Sequence, residues 1–211
     1  MVGTTAILLA LAYIAGSVNF SILLFRMLGR DDPRYHFSGT AGTTNVYRQA
    51  GVFWAGVVLL LDLGRALAVS WAALYLLPIN YVPWVGLALI LGNRFPCFHQ
   101  FHGGKGVASY LGFTAIISPC SAAISCLVWV GVYGIVRIPF IASFFMTLVL
   151  MVGTIIACGY QAAASIGTII TAMFIFYNHR QNVVELFSKP SSEKGGKGVS
   201  SGIGERREKP Y

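Results

Sequence analysis

Charge is what this chain has least of. Only 10% of its 211 residues are Asp, Glu, Lys or Arg, and the acids number seven, whereas a soluble domain carries about 25% charged residues. That shortage excludes a soluble globular enzyme, and with no carboxylate cluster no metal site is expected. Cysteine is scarce as well. Cys97, Cys120, Cys126 and Cys158 form no CxxC pair, so neither a zinc ribbon nor a redox motif is present, and their apolar surroundings read as small buried hydrophobes. A cleavable leader is not expected: residues 1–15 have no basic segment, and the apolar stretch runs on to about Leu28. No basic patch alternates with aromatics, so nucleic acid is not an expected partner.

What is abundant is apolar sequence, at 56% of residues. A helix crossing a bilayer needs about 20 apolar residues, and seven segments qualify or nearly so: 4–28, 51–77, 81–98, 107–119, 120–136, 139–158 and 161–178. The fourth is short. The predicted fold is an all-α polytopic membrane protein of seven transmembrane helices over 1–188. Six of the fifteen Lys and Arg fall in 189–211, which reads as a basic, disordered cytoplasmic tail. Arg30, Arg34, Arg48, Arg94, Lys105 and Arg137 follow spans one, three and five, while the opposite connections are uncharged. The positive-inside rule then puts the N-terminus outside and the C-terminus in the cytoplasm.

Two polar strings interrupt the apolar runs on that cytoplasmic face. The first spans Ser38–Arg48, with hydroxyls or amides at Ser38, Thr40, Thr43, Thr44 and Asn45, glycines at 39 and 42, and Arg48. The second is Gly103–Gly104–Lys105–Gly106, which leads into span four at Val107. Backbone donors, a cation and a helix N-terminus together hold phosphate. The plain alternative is a polar loop with ordinary N-cap residues. Neither string is a Walker A loop, and GlyGlyLysGlyVal recurs at 195–199 in the tail without a helix behind it. A third string, Asn178 to Asn182, closes span seven. His179 and Asn182 share a face if the helix continues, or else His179 and Arg180 only anchor a helix end. His36, His99 and His102 lack metal spacing and read as surface-loop residues.

Asp62 and Arg65 lie three apart inside span two. An intramembrane pair is costly and must face the interior, where it orders the site from below or serves structure alone. Arg137 and Ser143 could add a further cation and donor, with a snorkelling arginine as the plain alternative.

In order along the chain, GlySer (16–17), Asp32-x-Arg34, the 38–48 string, LeuAsp (61–62), LeuGly-x-x-PhePro (91–96), Phe-x-GlyGlyLysGlyValAla (101–108) and HisArg-x-Asn (179–182) resemble the bacterial acyl-phosphate:glycerol-3-phosphate acyltransferase family, PlsY. The resemblance implies acyl transfer from acyl phosphate to the 1-hydroxyl of sn-glycerol 3-phosphate, giving lysophosphatidate and phosphate, with no cofactor. Carried over by position, Ser38, Arg48, Lys105, His179 and Asn182 would hold glycerol phosphate at the reacting centre. Thr44, Asn45, Gly103, Gly104, Gly106 and Val107 would cradle the acyl-phosphate head, and Ser143 matches a family serine. The chain departs from the family's usual residues at Asn19, Thr40, Arg65-Ala66, Asn93, Phe140 and 188–190. The bilayer is the expected partner, a monomer the expected state, and the bacterial cell membrane the expected location. A small transporter for an anionic phosphorylated metabolite, using the same cationic loops, is the alternative, and a catalytically dead scaffold rests only on the departures.

Overall fold

The structure, a computed structural model, describes residues 2–188; the tail expected over 189–211 lies outside the described residues. Among these residues every regular element is helical and no strand forms. The first apolar run makes two helices, α1 (Val2–Ser17) and α2 (Phe20–Met27). Asn19 makes the break: its backbone is extended, and its Oδ1 accepts the Ile22 N–H at 3.1 Å, an asparagine N-cap that competes with a continuing helix. A 3-10 turn (Pro33–Tyr35) and α3 (Thr43–Ala50) follow, then α4 (Val52–Leu76), α5 (Val82–Arg94), α6 (Val107–Ile117), α7 (Pro119–Val136), α8 (Pro139–Ala157), α9 (Ala162–Asn178) and α10 (Arg180–Ser188). Proline in the first turn of α5, α7 and α8 presets the helical φ where no N–H partner is needed.

Each of the seven predicted segments is therefore helical. Five stretches are long and apolar enough to cross a membrane: Val2–Met27, Val52–Leu76, Pro119–Val136, Pro139–Ala157 and Ala162–Ser188. By contrast α5 and α6 have 13 and 11 residues, short of the ~20 that a ~30 Å hydrocarbon layer requires. The third segment ends at Arg94, because the chain turns at Phe95-Pro96 and folds back beneath the helix end. Outward side chains such as Leu60, Leu127, Val130, Ile135 and Met173 stay exposed. Helices apolar on every face, with their outer faces uncovered, have lipid as their solvent. The cysteine expectation holds only for Cys158. Cys97, Cys120 and Cys126 are exposed, since an apolar neighbourhood in a membrane helix means lipid as often as protein.

Small residues let the helices approach. At the α1–α5 crossing a Cβ on Gly92 would lie 3.0 Å from Ser17 N and overlap the Tyr13 carbonyl, and one on Gly16 would overlap that of Leu89. Such backbone contact is the usual means of helix association in lipid. Around it Leu8, Ala12, Ala66, Val85, Leu89 and Phe113 form one core, while Ile90, Tyr110, Ala122, Met146, Leu150 and Ile175 join α5 and α6 to α7, α8 and α9.

The break in α1 exposes carbonyls inside the bilayer, and Arg65 of α4 satisfies them. Its Nη1 donates to Ala15 O at 3.2 Å, Gly16 O at 3.3 Å and, more closely, Val18 O. Its Nη2 donates to Asp62 Oδ1 at 2.8 Å and to Ser109 Oγ on α6 at 3.0 Å. The Phe20 ring covers the guanidinium, 5.2 Å from its centroid. The pair is thus more than a neutral ion pair: it binds the α1 end, α4 and α6 together.

Removing one member of a buried pair leaves the other charge uncompensated, at about 3–5 kcal/mol. Arg65→Met is expected to lower the unfolding midpoint in detergent micelles accordingly, and Asp62→Asn in that background to recover part of the loss. An unchanged midpoint for Arg65→Met would rule out this role.

Candidate functional site

The two polar strings meet. Ala41 N donates to Gly103 O at 3.3 Å, and Asn19 Nδ2 donates to Ala41 O at 3.2 Å from the α1–α2 break. Below them Gly103 N donates to Arg94 O and Gly104 N to Asn93 O, each at 3.0 Å. These two N–H groups, expected from the sequence to be open donors, are spent on the end of α5. They are glycines because of packing: a Cβ on Gly104 would come within 2.8 Å of both Ala41 O and Asn93 Oδ1, and one on Gly103 would overlap Asn93 O. The donors left are those of Lys105, Gly106 and the first turn of α6. Gly106 is the N-cap, at φ +92 and with no side-chain cap, so that turn keeps its partial positive charge.

Asn45 organises the first string from inside. Buried, it donates through Nδ2 to Pro33 O at 2.7 Å, Thr40 O at 2.9 Å and His36 O at 3.2 Å, while Oδ1 has no partner. Only that oxygen is left to meet a ligand, so Asn45 serves chiefly as the loop's frame. Gln49 adds a bond to Pro33 O at 2.9 Å. Ser38 and Thr40 hydroxyls lie 3.0 Å apart. Thr44 is exposed, beside the N-terminus of α3, where Gly42 is an N-cap without a side-chain bond. Arg48, in the last turn of α3, is exposed, and its side chain makes no hydrogen bond among the described residues.

The third string reaches the second. Lys105 Nζ donates a short hydrogen bond to Asn182 Oδ1 on α10, and Asn178 Nδ2 donates to Lys105 O at 3.4 Å. The helix does not run straight through: α9 ends at Asn178, His179 is its C-cap, and α10 starts at Arg180. His179 is buried, with Nδ1 2.9 Å from Ile175 O and Phe144 edge-on at 5.4 Å. Nδ1–H donation to that carbonyl leaves Nε2 as the free ring acceptor. Burial, opposed by Glu185 and reinforced by Arg48 and Arg94, pulls the Lys105 ammonium down to about 8. Arg48, Lys105, His179 and Asn182 thus form one group, with Ser38 beside it through the joined loops.

Two expected members make no hydrogen bond to this group among the described residues. Ser143 Oγ donates to Pro139 O at 3.0 Å and accepts from Trp129 Nε1 at 3.2 Å, so its hydroxyl serves the α7–α8 contact. Its neighbour Phe144 is the residue that touches His179. Arg137 is an exposed cap in the left-handed region, φ 59.

A clip missed in the sequence holds the loops together. Arg34 binds Asp32 in a two-pronged pair, Nε to Oδ1 at 2.9 Å and Nη2 to Oδ2 at 2.6 Å. Its Nη1 donates to His99 O at 2.8 Å and His102 O at 2.9 Å. Burial alone would raise the Asp32 carboxyl, but the hydrogen bonds and charge of Arg34 bring it below its usual value. The alternating Asp32-x-Arg34 was its only sequence signal. His99, read as a surface residue, is buried under this clip, and burial lowers its ring. No cluster of three or more His, Cys, Asp or Glu that could hold a metal occurs among the described residues.

Comparison with known proteins gives this geometry a context. A family profile described as glycerol-3-phosphate acyltransferase matches residues 6–189. A glycerol-3-phosphate acyltransferase of Methylobacillus flagellatus is 33% identical over 197 residues, 90% of this chain and 96% of that protein. One from Laribacter hongkongensis is 35% identical, covering 92% of this chain and 98% of the relative. Two crystal structures of PlsY, an integral membrane glycerol 3-phosphate acyltransferase, superpose on the fold. The glycerol 3-phosphate form has a TM-score of 0.81 at 32% identity, covering 88% of this chain and 92% of that one. The lysophosphatidic acid form has a TM-score of 0.79 at 31% identity. An all-helical membrane fold, motifs joined at Lys105 and agreement along nearly the whole chain have one reading: the chain belongs to the glycerol-3-phosphate acyltransferase family.

Proposed function

We propose that the protein transfers the acyl group of an acyl phosphate to the 1-hydroxyl of sn-glycerol 3-phosphate at the cytoplasmic face of a bacterial cell membrane. The observation that carries this reading is the meeting of three polar strings at Lys105, where cations, hydroxyls and an uncapped helix N-terminus collect beside lipid-facing helices. All seven helical segments cross the membrane in this reading, α5 and α6 with loop structure completing their depth. The N-terminus is outside, as the charge asymmetry supports. Residues 1–188 are the catalytic unit and 189–211 a cytoplasmic tail, and the enzyme acts as a monomer.

In the reaction the glycerol hydroxyl oxygen attacks the acyl carbon, the carbon–oxygen bond to phosphate breaks, and phosphate departs with the electron pair. The donor is already activated, so placement and charge stabilisation suffice without a covalent intermediate. Arg48 and Lys105 hold the acceptor phosphate, with Ser38 and Asn182 as orienting partners. The free Nε2 of His179 takes the hydroxyl proton, its ring held by Ile175 O and Phe144. The Gly106 cap and the first turn of α6 receive the donor phosphoryl group with Thr44 at the mouth. Family membership leaves the transporter alternative without a supporting observation. None of the four histidines has the His-x4-Asp spacing of acyl-CoA-dependent enzymes.

Purified protein given acyl phosphate and glycerol 3-phosphate should release phosphate and form lysophosphatidate. Lys105→Ala and Arg48→Ala should each lose at least about 100-fold in kcat/KM. Turnover with acyl-CoA as the sole donor would sink the mechanism. A pH series is a separate check. Lys105 must be protonated to hold an anion, and with its free-protein value near 8 the KM for glycerol 3-phosphate should be flat from about pH 7, where the substrate phosphate is doubly ionised, up to that value. It should then climb toward tenfold per pH unit as pH rises past that value. Lys105→Arg, charged throughout, should lack the climb, and a flat wild-type profile up to about pH 10 would contradict the assignment.

A further inference from the structure

Arg94 closes α5 in a position where an arginine usually neutralises the last carbonyls of a helix. Here most of that work is already done by backbone N–H groups. Phe95 N takes Leu91 O, Gly104 N takes Asn93 O, and Gly103 N takes Arg94 O. The guanidinium finds no acceptor among the described residues, and its Nε is buried without a partner. What it touches is the Phe95 ring, 5.6 Å from the centroid, which in turn packs on Phe174 of α9. Arg180 and Lys105, both of like sign, are near enough to act on its charge, with Glu185 opposing only at Lys105. A half-buried cation with no acceptor beside two further cations is unfavourable in the empty protein. An entering anion reverses that.

We propose that Arg94 is a further phosphate-binding residue of the site and holds the phosphoryl group of the acyl donor. Its backbone carbonyl holds Gly103, so the guanidinium is carried by the same residue that anchors the glycine loop. The planar fork suits two phosphoryl oxygens at once. As the carbon–oxygen bond of the donor breaks, the charge arriving on phosphate meets a guanidinium with nothing else to bind. This rests on acyl phosphate being the donor.

The test uses the full chain in detergent. For Arg94→Gln the donor KM should rise about 10-fold or more and kcat should fall with it, while the KM for glycerol 3-phosphate stays within about threefold. Arg94→Lys, which keeps charge but not the fork, should fall between. Separately, inorganic phosphate should raise the unfolding midpoint of wild type more than that of either variant. This arm reads Arg94 whatever the donor. Wild type that turns over acyl-CoA but not acyl phosphate defeats the proposed function, and the phosphate arm then decides on Arg94. An unchanged donor KM, an equal rise in both KM values, or equal phosphate stabilisation of wild type and Arg94→Lys would each overturn the proposal. If Arg94→Gln does not fold, Arg94→Lys alone carries both readouts.

Discussion

A broken helix inside a bilayer must find donors for its last carbonyls, since neither water nor lipid can supply them. In this protein one guanidinium meets that demand. Arg65 covers the carbonyls of Ala15, Gly16 and Val18, leans on Asp62 for charge and on Ser109 for a bond to α6. The consequences run toward the site. Because α1 can end, α2 can start anew at Asn19, and the Asn19 amide reaches Ala41 in the first polar string. Because Ser109 is held, the start of α6 is held two residues behind Val107. One intramembrane cation thus fixes both loops that meet above it.

The site that results is made of element ends rather than of a pocket in a core. Two uncapped helix N-termini, α3 and α6, stand beside the last turn of α5 and the kink between α9 and α10. Arg48 is exposed while Lys105 is half-buried and its ammonium already weakened by burial. Such a site is costly without an anion and favourable with one, which suits a glycerol-3-phosphate acyltransferase, whose acceptor carries phosphate. Glycine permits the assembly by letting backbones touch at Gly103 and Gly104.

Residues at which the chain departs from its family's usual pattern have become scaffold. Asn19 caps α2 and bonds the first string, Thr40 pairs with Ser38, and Arg65 ties the end of α1 to α4 and α6. Phe140 packs edge-on against Phe144, 5.7 Å away, which presses on His179. These four departures have partners in the fold, and Lys105 still meets Asn182 and the charge of Arg48 at the joined loops.

Apolar run length and the paucity of charge were enough to determine an all-helical membrane protein and the helical segments, because lipid imposes hydrophobicity residue by residue. The composition of the three polar strings likewise pointed to phosphate, since donors and cations are visible in the letters. What only the tertiary structure decided were matters of who bonds to whom: the break in α1, the spending of the Gly103 and Gly104 donors, Asn45 as a frame, Ser143 turned to Trp129, His99 under Arg34. Each depends on partners tens of residues away. A hydrogen-bonding group can be read from sequence, but whether it is already satisfied is a property of its neighbours in space.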